Sequence, residues 1–100
     1  MLFGFVNPVA NLQGNTNGLS SATKLSPGKY KLRFVSGVAW CVKVITLGHE
    51  PNAQINDSYD GVAGSAFVYN ALDGHEVIAT TFDATGRLTD QGFNIMVICK

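Results

Sequence analysis

From Gly28 to Val35 the chain alternates strictly: Tyr30, Leu32 and Phe34 fall on one side, and Lys29, Lys31 and Arg33 on the other. That period of two predicts a half-buried β-strand. The same reading predicts strands at Phe3 to Val9, Val38 to Leu47, Ala66 to Leu72, His75 to Phe82 and Phe93 to Cys99, with weaker ones at Leu19 to Lys24 and Gln54 to Tyr59. Asn17-Gly18, Asp60-Gly61, Asp73-Gly74 and Thr85-Gly86 supply residues that tolerate a reversal of the chain. Turns about every ten residues suit an all-β, antiparallel, jelly-roll-like sandwich of seven to eight strands. The stretch from Ala10 to Gly18, rich in Asn and Gly, is expected as an exposed loop.

Two segments break the half-buried pattern. Phe93, Ile95, Val97 and Cys99 share one face of the last strand, yet Met96 and Ile98 on the other face are also apolar. In the 38–47 segment, Trp40, Val42 and Val44 share a parity, while Cys41, Ile45 and Leu47 have the opposite one. The outer face of a two-sheet domain normally meets water, so strands apolar on both sides imply that another surface covers them. Trp40, Val42, Val44, Met96 and Ile98 are therefore the expected subunit contact of a homo-oligomer. Loops around Asn15, 52–59 and 83–90 are expected to face other partners.

Composition agrees with strands: Val, Ile, Thr, Phe, Tyr and Trp number 32 of 100 residues against five Glu and Gln. With 46% apolar residues and 14% charged, the chain can fill one core and forms a single domain over residues 1–100. Its formal net charge of zero disfavours a protein that lives on polyanions. The charge is uneven, however. Five cations and no anions precede His49, and seven anions and two cations follow it, giving halves of about +5 and −5. Lys29, Lys31 and Arg33 form a basic strip that could receive an anionic glycan or a nucleic acid, but no aromatic residue interleaves with them to read RNA, so a solvated face paired with acidic loops is expected instead. The apolar start at Leu2, Phe3, Phe5 and Val6 has no preceding cation and is interrupted at Asn7-Pro8, so neither a signal peptide nor membrane insertion is expected.

Catalytic and metal chemistry finds little footing. Gly64-Ser65 lacks the second glycine of a nucleophile elbow, and no enzyme is expected. His49, Glu50, His75 and Glu76 are of the right types for a metal, but His75 and Glu76 are adjacent on a predicted strand and should point to opposite faces. No cofactor is expected. The segment from Asn56 to Gly61 begins like a calcium loop, but its twelfth position is Phe67, where a bidentate Glu is needed. A competing function is a carbohydrate-binding module, with Asn52, Asn56, Tyr59 and Asp60 reading a cell-surface glycan and Tyr59 stacking on a sugar ring.

The run Pro27-Gly28-Lys29-Tyr30-Lys31-Leu32-Arg33-Phe34, followed by Cys41, resembles the Gly-x-Tyr-x-Val-x-Phe…Cys half of a small β-domain family of bacterial and bacteriophage sequences, often found beside tail-fibre or collagen-like segments. Thr81, Asp83, Gly86, Asp90, Phe93, Ile95, Val97 and Cys99 resemble that family's ending, Thr-x-Asp-x-x-Gly…Asp-x-x-Phe-x-Leu-x-Val-x-Cys. A looser likeness links the Gly-x-Tyr strand to trimeric complement-head and tumour-necrosis-factor-like jelly rolls, so that a trimer is the favoured homo-oligomer. The resemblance implies a non-enzymatic β module of a virion, tail appendage or similar extracellular surface, acting in attachment or decoration beside other virion or appendage proteins. It also places cysteines where Cys41 and Cys99 stand. A bridge between them would close a loop of nearly sixty residues and contribute about 4 kcal/mol in the chain-entropy model; the alternative is two free thiols behaving as small hydrophobes, with Cys99 facing the core.

Overall fold

The computed structural model describes residues 1–49, 51 and 63–99. Among them there are eight strands and no helix: β1 (Leu2–Val6), β2 (Leu12–Asn17), β3 (Leu19–Ser26), β4 (Lys29–Phe34), β5 (Val42–Leu47), β6 (Ser65–Asn70), β7 (Glu76–Phe82) and β8 (Phe93–Ile98). They form two antiparallel four-stranded sheets, β2-β1-β8-β5 (sheet 1) and β3-β4-β7-β6 (sheet 2), packed as a sandwich. The pairs β1–β2, β3–β4 and β6–β7 are sequence neighbours; the chain changes sheet after β2, β4, β5 and β7.

The alternation read in β4 sets the core. Tyr30, Leu32 and Phe34 point inward with Val77 and Ala79 of β7, and meet Phe93, Ile95 and Val97 of β8 from the opposite sheet. The Tyr30 and Phe93 rings join the sheets at a centroid distance of 5.2 Å and a tilt of 60°, a geometry that aromatic quadrupoles favour. Burial pushes the Tyr30 hydroxyl up to about 12, with nearby Asp90 adding to the shift. That hydroxyl stays neutral and donates to the Pro8 carbonyl at 2.8 Å.

The recurring polar positions are mostly builders of turns. Asp83 Oδ1 accepts from the amides of Thr85 (2.8 Å) and Arg87 (3.1 Å) and from the Thr85 hydroxyl (2.6 Å), an Asx-type arrangement that reverses the chain. These donors hold the Asp83 carboxyl below its usual range. Fully buried Thr81 donates its hydroxyl to the Thr89 carbonyl at 2.6 Å. Asp90 accepts from the Gly28 amide at 2.7 Å and pairs with Lys24, so it ties the β3–β4 hairpin to the segment before β8. Gly28 has φ +73°, and a Cβ there would stand 2.7 Å from both the Thr81 oxygen and the Thr89 nitrogen. Only glycine suits that approach.

Two expectations change. The stretch expected as a loop at Ala10 to Gly18 contains β2, an edge strand bonded only to β1; its Gln, Gly and Asn residues carry little strand propensity, and the hairpin turn supplies the order through Asn7 Oδ1, which accepts from the amides of Val9 and Asn11. Asn15 consequently sits on a strand. The 38–47 strand begins only at Val42, because the Val38 amide is drawn to the Gly74 carbonyl at 2.7 Å and Ala39 and Trp40 form a turn. The strand expected at Gln54 to Tyr59 lies outside the described residues.

Candidate assembly surface

Cross-strand register builds the candidate surface. In sheet 1, Met96 stands opposite Phe3 on one side and Val44 on the other, so the three form one row across β1, β8 and β5. Ile98 and Val42 form the next row. Their side chains leave the sheet on the face away from the core, and Met96 and Ile98 keep 37% and 45% of their surface exposed. Neither is buried beneath the described residues of its own chain. The remaining outward residues of β5 and β8, Thr46 and Asn94, are opposite one another and uncharged. A depression of about 500 Å³ opens on this face, bordered by Met1, Phe3, Val44, Met96 and Pro51.

Of the expected contact residues, Val42, Val44, Met96 and Ile98 thus share one face. Trp40 does not belong to the strand: it is fully exposed in the turn before β5. That turn is anchored from several directions. The Ala39 carbonyl accepts from Asn70 Nδ2 at 2.9 Å and from Lys43 Nζ at 3.4 Å, while Lys43 Nζ also donates to the Cys41 carbonyl at 2.8 Å. Burial lowers the pKa of Lys43. Phe3 is the member of the surface that sequence reasoning missed; it shares its parity with Phe5, which is buried, and only the register that sets it against Met96 places it on the exposed row.

Cys41 and Cys99 form a disulfide, with Cα atoms 4.6 Å apart and a sequence separation of 58. It ties the segment entering β5 to the one leaving β8, immediately beyond the Val42–Ile98 pair. Cys99 does not face the core as its parity suggested. It lies past the end of β8 and is exposed, while Cys41 packs against the edge of the core.

The remaining candidates separate. His49 follows β5 near the Gly48–Gly92 contact, whereas His75 stands at the other end of the sandwich, 3.5 Å from Asp73. Glu76 turns toward Arg33. Among the described residues no three His, Cys, Asp or Glu side chains gather to hold a metal. Glu50 and the expected glycan loop of Asn52, Asn56, Tyr59 and Asp60 lie outside the described residues. Arg33 pairs with Asp73 at 3.1 Å and Glu76 at 3.4 Å; these contacts raise the pKa of Arg33, while the His75 amide and Arg33 hold Asp73 low. No helix of the described chain is long and apolar enough to cross a membrane.

Comparison of the chain with protein-family models, curated proteins and solved structures gives no match.

Proposed function

We propose that this chain is a non-enzymatic assembly module that associates with copies of itself through the outer face of sheet 1. The observation that carries the reading is the pair of uncharged cross-strand rows, Phe3–Met96–Val44 and Ile98–Val42, exposed on a sheet whose other face already fills the core. The centres of protein interfaces are depleted in charge, and aromatic anchors are enriched among the residues that dominate binding; Trp40, held out on an anchored turn, provides such an anchor. An uncharged strand face of this kind can pack against a second copy, and a head-to-tail contact that closes on itself gives the ring that a trimer requires. The sequence resemblance extends the proposal to a homotrimer on a virion, a tail appendage or another extracellular surface, where the module serves attachment or decoration.

Light scattering on the intact chain at tens of micromolar tests the reading. The expected mass is a multiple of 10.7 kDa, and Ile98→Lys is expected to return it to the single-chain value without unfolding, since the side chain already meets solvent in one copy. A wild-type chain that remains monomeric overturns the proposal.

A further inference from the structure

We infer that the outer face of sheet 2 is a binding face for an acidic oligosaccharide, with Tyr69 and Phe67 as stacking surfaces and Lys29 and Lys31 as the groups that meet its carboxylates. The residues come together through register. Thr23, Lys31, Ile78 and Tyr69 form one row across β3, β4, β7 and β6, and Lys29, Thr80 and Phe67 form the next. With strands about 4.8 Å apart, the aromatic strand and the lysine strand are separated by roughly 10 Å, and β7 forms the floor between them. Ile78 points outward yet is only 8% exposed, so the flanking side chains lie over it and leave a groove of about 590 Å³. That volume falls within the range of small-molecule sites.

Two features of the groove call for a ligand from outside. Arg33 is occupied by Asp73 and Glu76, but the side chains of Lys29 and Lys31 form no ion pair or hydrogen bond among the described residues. Across the groove Tyr69 leaves 47% of its surface in solvent and its hydroxyl has no partner among the described residues, while Phe67, beside the groove in the next row of the same face, leaves 66% exposed. A sugar ring offers an apolar face to an aromatic side chain while its hydroxyls and carboxylate remain available to polar groups. The sequence expectation that no aromatic platform accompanies the basic strip is met only along β4 itself; the platform stands on β6, two strands away.

The charge pattern selects the acidic sugar over a nucleic acid. A polyphosphate strand carries closely spaced charges and relies on a broad positive track. Here just two unpaired cations lie in the groove, Asp73 and Glu76 border one end, and the chain's formal net charge is zero. A polymer with one carboxylate per ring is matched better. The groove lies on the opposite side of the sandwich from Met96 and Ile98, so self-association through sheet 1 leaves it open and would present it in several copies.

Titration calorimetry on the intact chain tests the inference with a galacturonic acid hexamer, a galactose hexamer and a thymidine 12-mer. The acidic hexamer is expected to bind saturably, to weaken as salt is raised, and to bind at least about tenfold more tightly than the neutral hexamer. Tyr69→Ala, and separately Lys29→Ala with Lys31→Ala, are expected to weaken it about tenfold or more while the thermal midpoint holds. Absence of binding at millimolar sugar, equal affinity for the neutral hexamer, tighter binding of the thymidine 12-mer, or an unchanged affinity in Tyr69→Ala overturns the inference. A fall in solution mass in Tyr69→Ala also overturns it, because the face would then be a contact between copies. The Ile98→Lys chain is expected to keep the intrinsic affinity per site, which separates this outcome from that of the assembly proposal.

Discussion

Cutting the Cys41–Cys99 bridge perturbs the fold at a point where its cost can be worked from connectivity. The bridge closes a sequence separation of 58, which includes all of β5, β6, β7 and β8. In the chain-entropy model, closing a loop of that length removes about 4 kcal/mol of conformational freedom from the unfolded state at 25 °C. Domains have total stabilities of only ~5–15 kcal/mol, so loss of the bridge removes a large fraction. Unfolding entropies near 60 °C are about 2.1 cal/mol/K per residue, which for 100 residues converts that loss to a fall in melting midpoint of roughly 20 °C. The assay is a thermal melt of the Cys41→Ser, Cys99→Ser double variant beside the wild type with and without reductant, with thiol titration to establish complete reduction. Solution mass must be matched between samples, because self-association stabilises by mass action. A midpoint that moves by only a few degrees after quantitative reduction refutes the reasoning: the open chain would then already be restricted near this contact.

Two further outcomes concern ionisation. Tyr30 keeps its proton in the fold up to about pH 12 but loses it near pH 10 when unfolded. Stability is therefore full below pH 10 and falls as pH rises through the 10–12 window, by about 3 kcal/mol from this group; denaturant midpoints across that window should fall less steeply in Tyr30→Phe than in the wild type. Asp90 behaves oppositely. Lys24 and the Gly28 amide hold its carboxyl below the ordinary value, so its contribution is present above the ordinary carboxylate pKa and is lost as acid protonates it in the fold; Asp90→Asn is expected to cost about 1–3 kcal/mol at neutral pH and to flatten the acid limb of a pH titration of stability.

The sandwich was legible because its core strands repeat with a period of two. Tyr30, Leu32 and Phe34 against Phe93, Ile95 and Val97 are alternations that admit one buried face each, and they occupy the two sides of the core. β2 was not legible. Leu12 is its only large apolar residue, and its order comes from the Asn7 turn and from pairing with β1, neither of which leaves a periodic trace. The apolar rows of sheet 1 were half visible: parity put Met96, Ile98, Val42 and Val44 outward, but only register adds Phe3. Trp40 shows the limit of parity, since two residues of spacing from Val42 mean nothing once the backbone turns at Ala39. The groove of sheet 2 was invisible for the same reason, because Lys31 and Tyr69 are 38 positions apart and meet across β7 through pairings that no local pattern encodes.

The uneven charge of the two halves now has a spatial account. Lys24 with Asp90, and Arg33 with Asp73 and Glu76, join a cation from the first half of the chain to anions from the second, so much of the asymmetry cancels within one copy. These pairs are partly solvated, where an ion pair contributes little net stability. Their larger consequence is where they leave charge and where they leave none. They lie on the outer face of sheet 2 and at the end of the β3–β4 hairpin, while the exposed rows of β5 and β8 carry no ionic side chain. Removing water from the sheet 1 face therefore strands no charge, whereas covering the sheet 2 face with another apolar surface would desolvate Lys29 and Lys31 without compensation. The two faces of one sandwich are suited to different occupants: an uncharged copy-to-copy contact on one, and an anion with a ring to stack on the other.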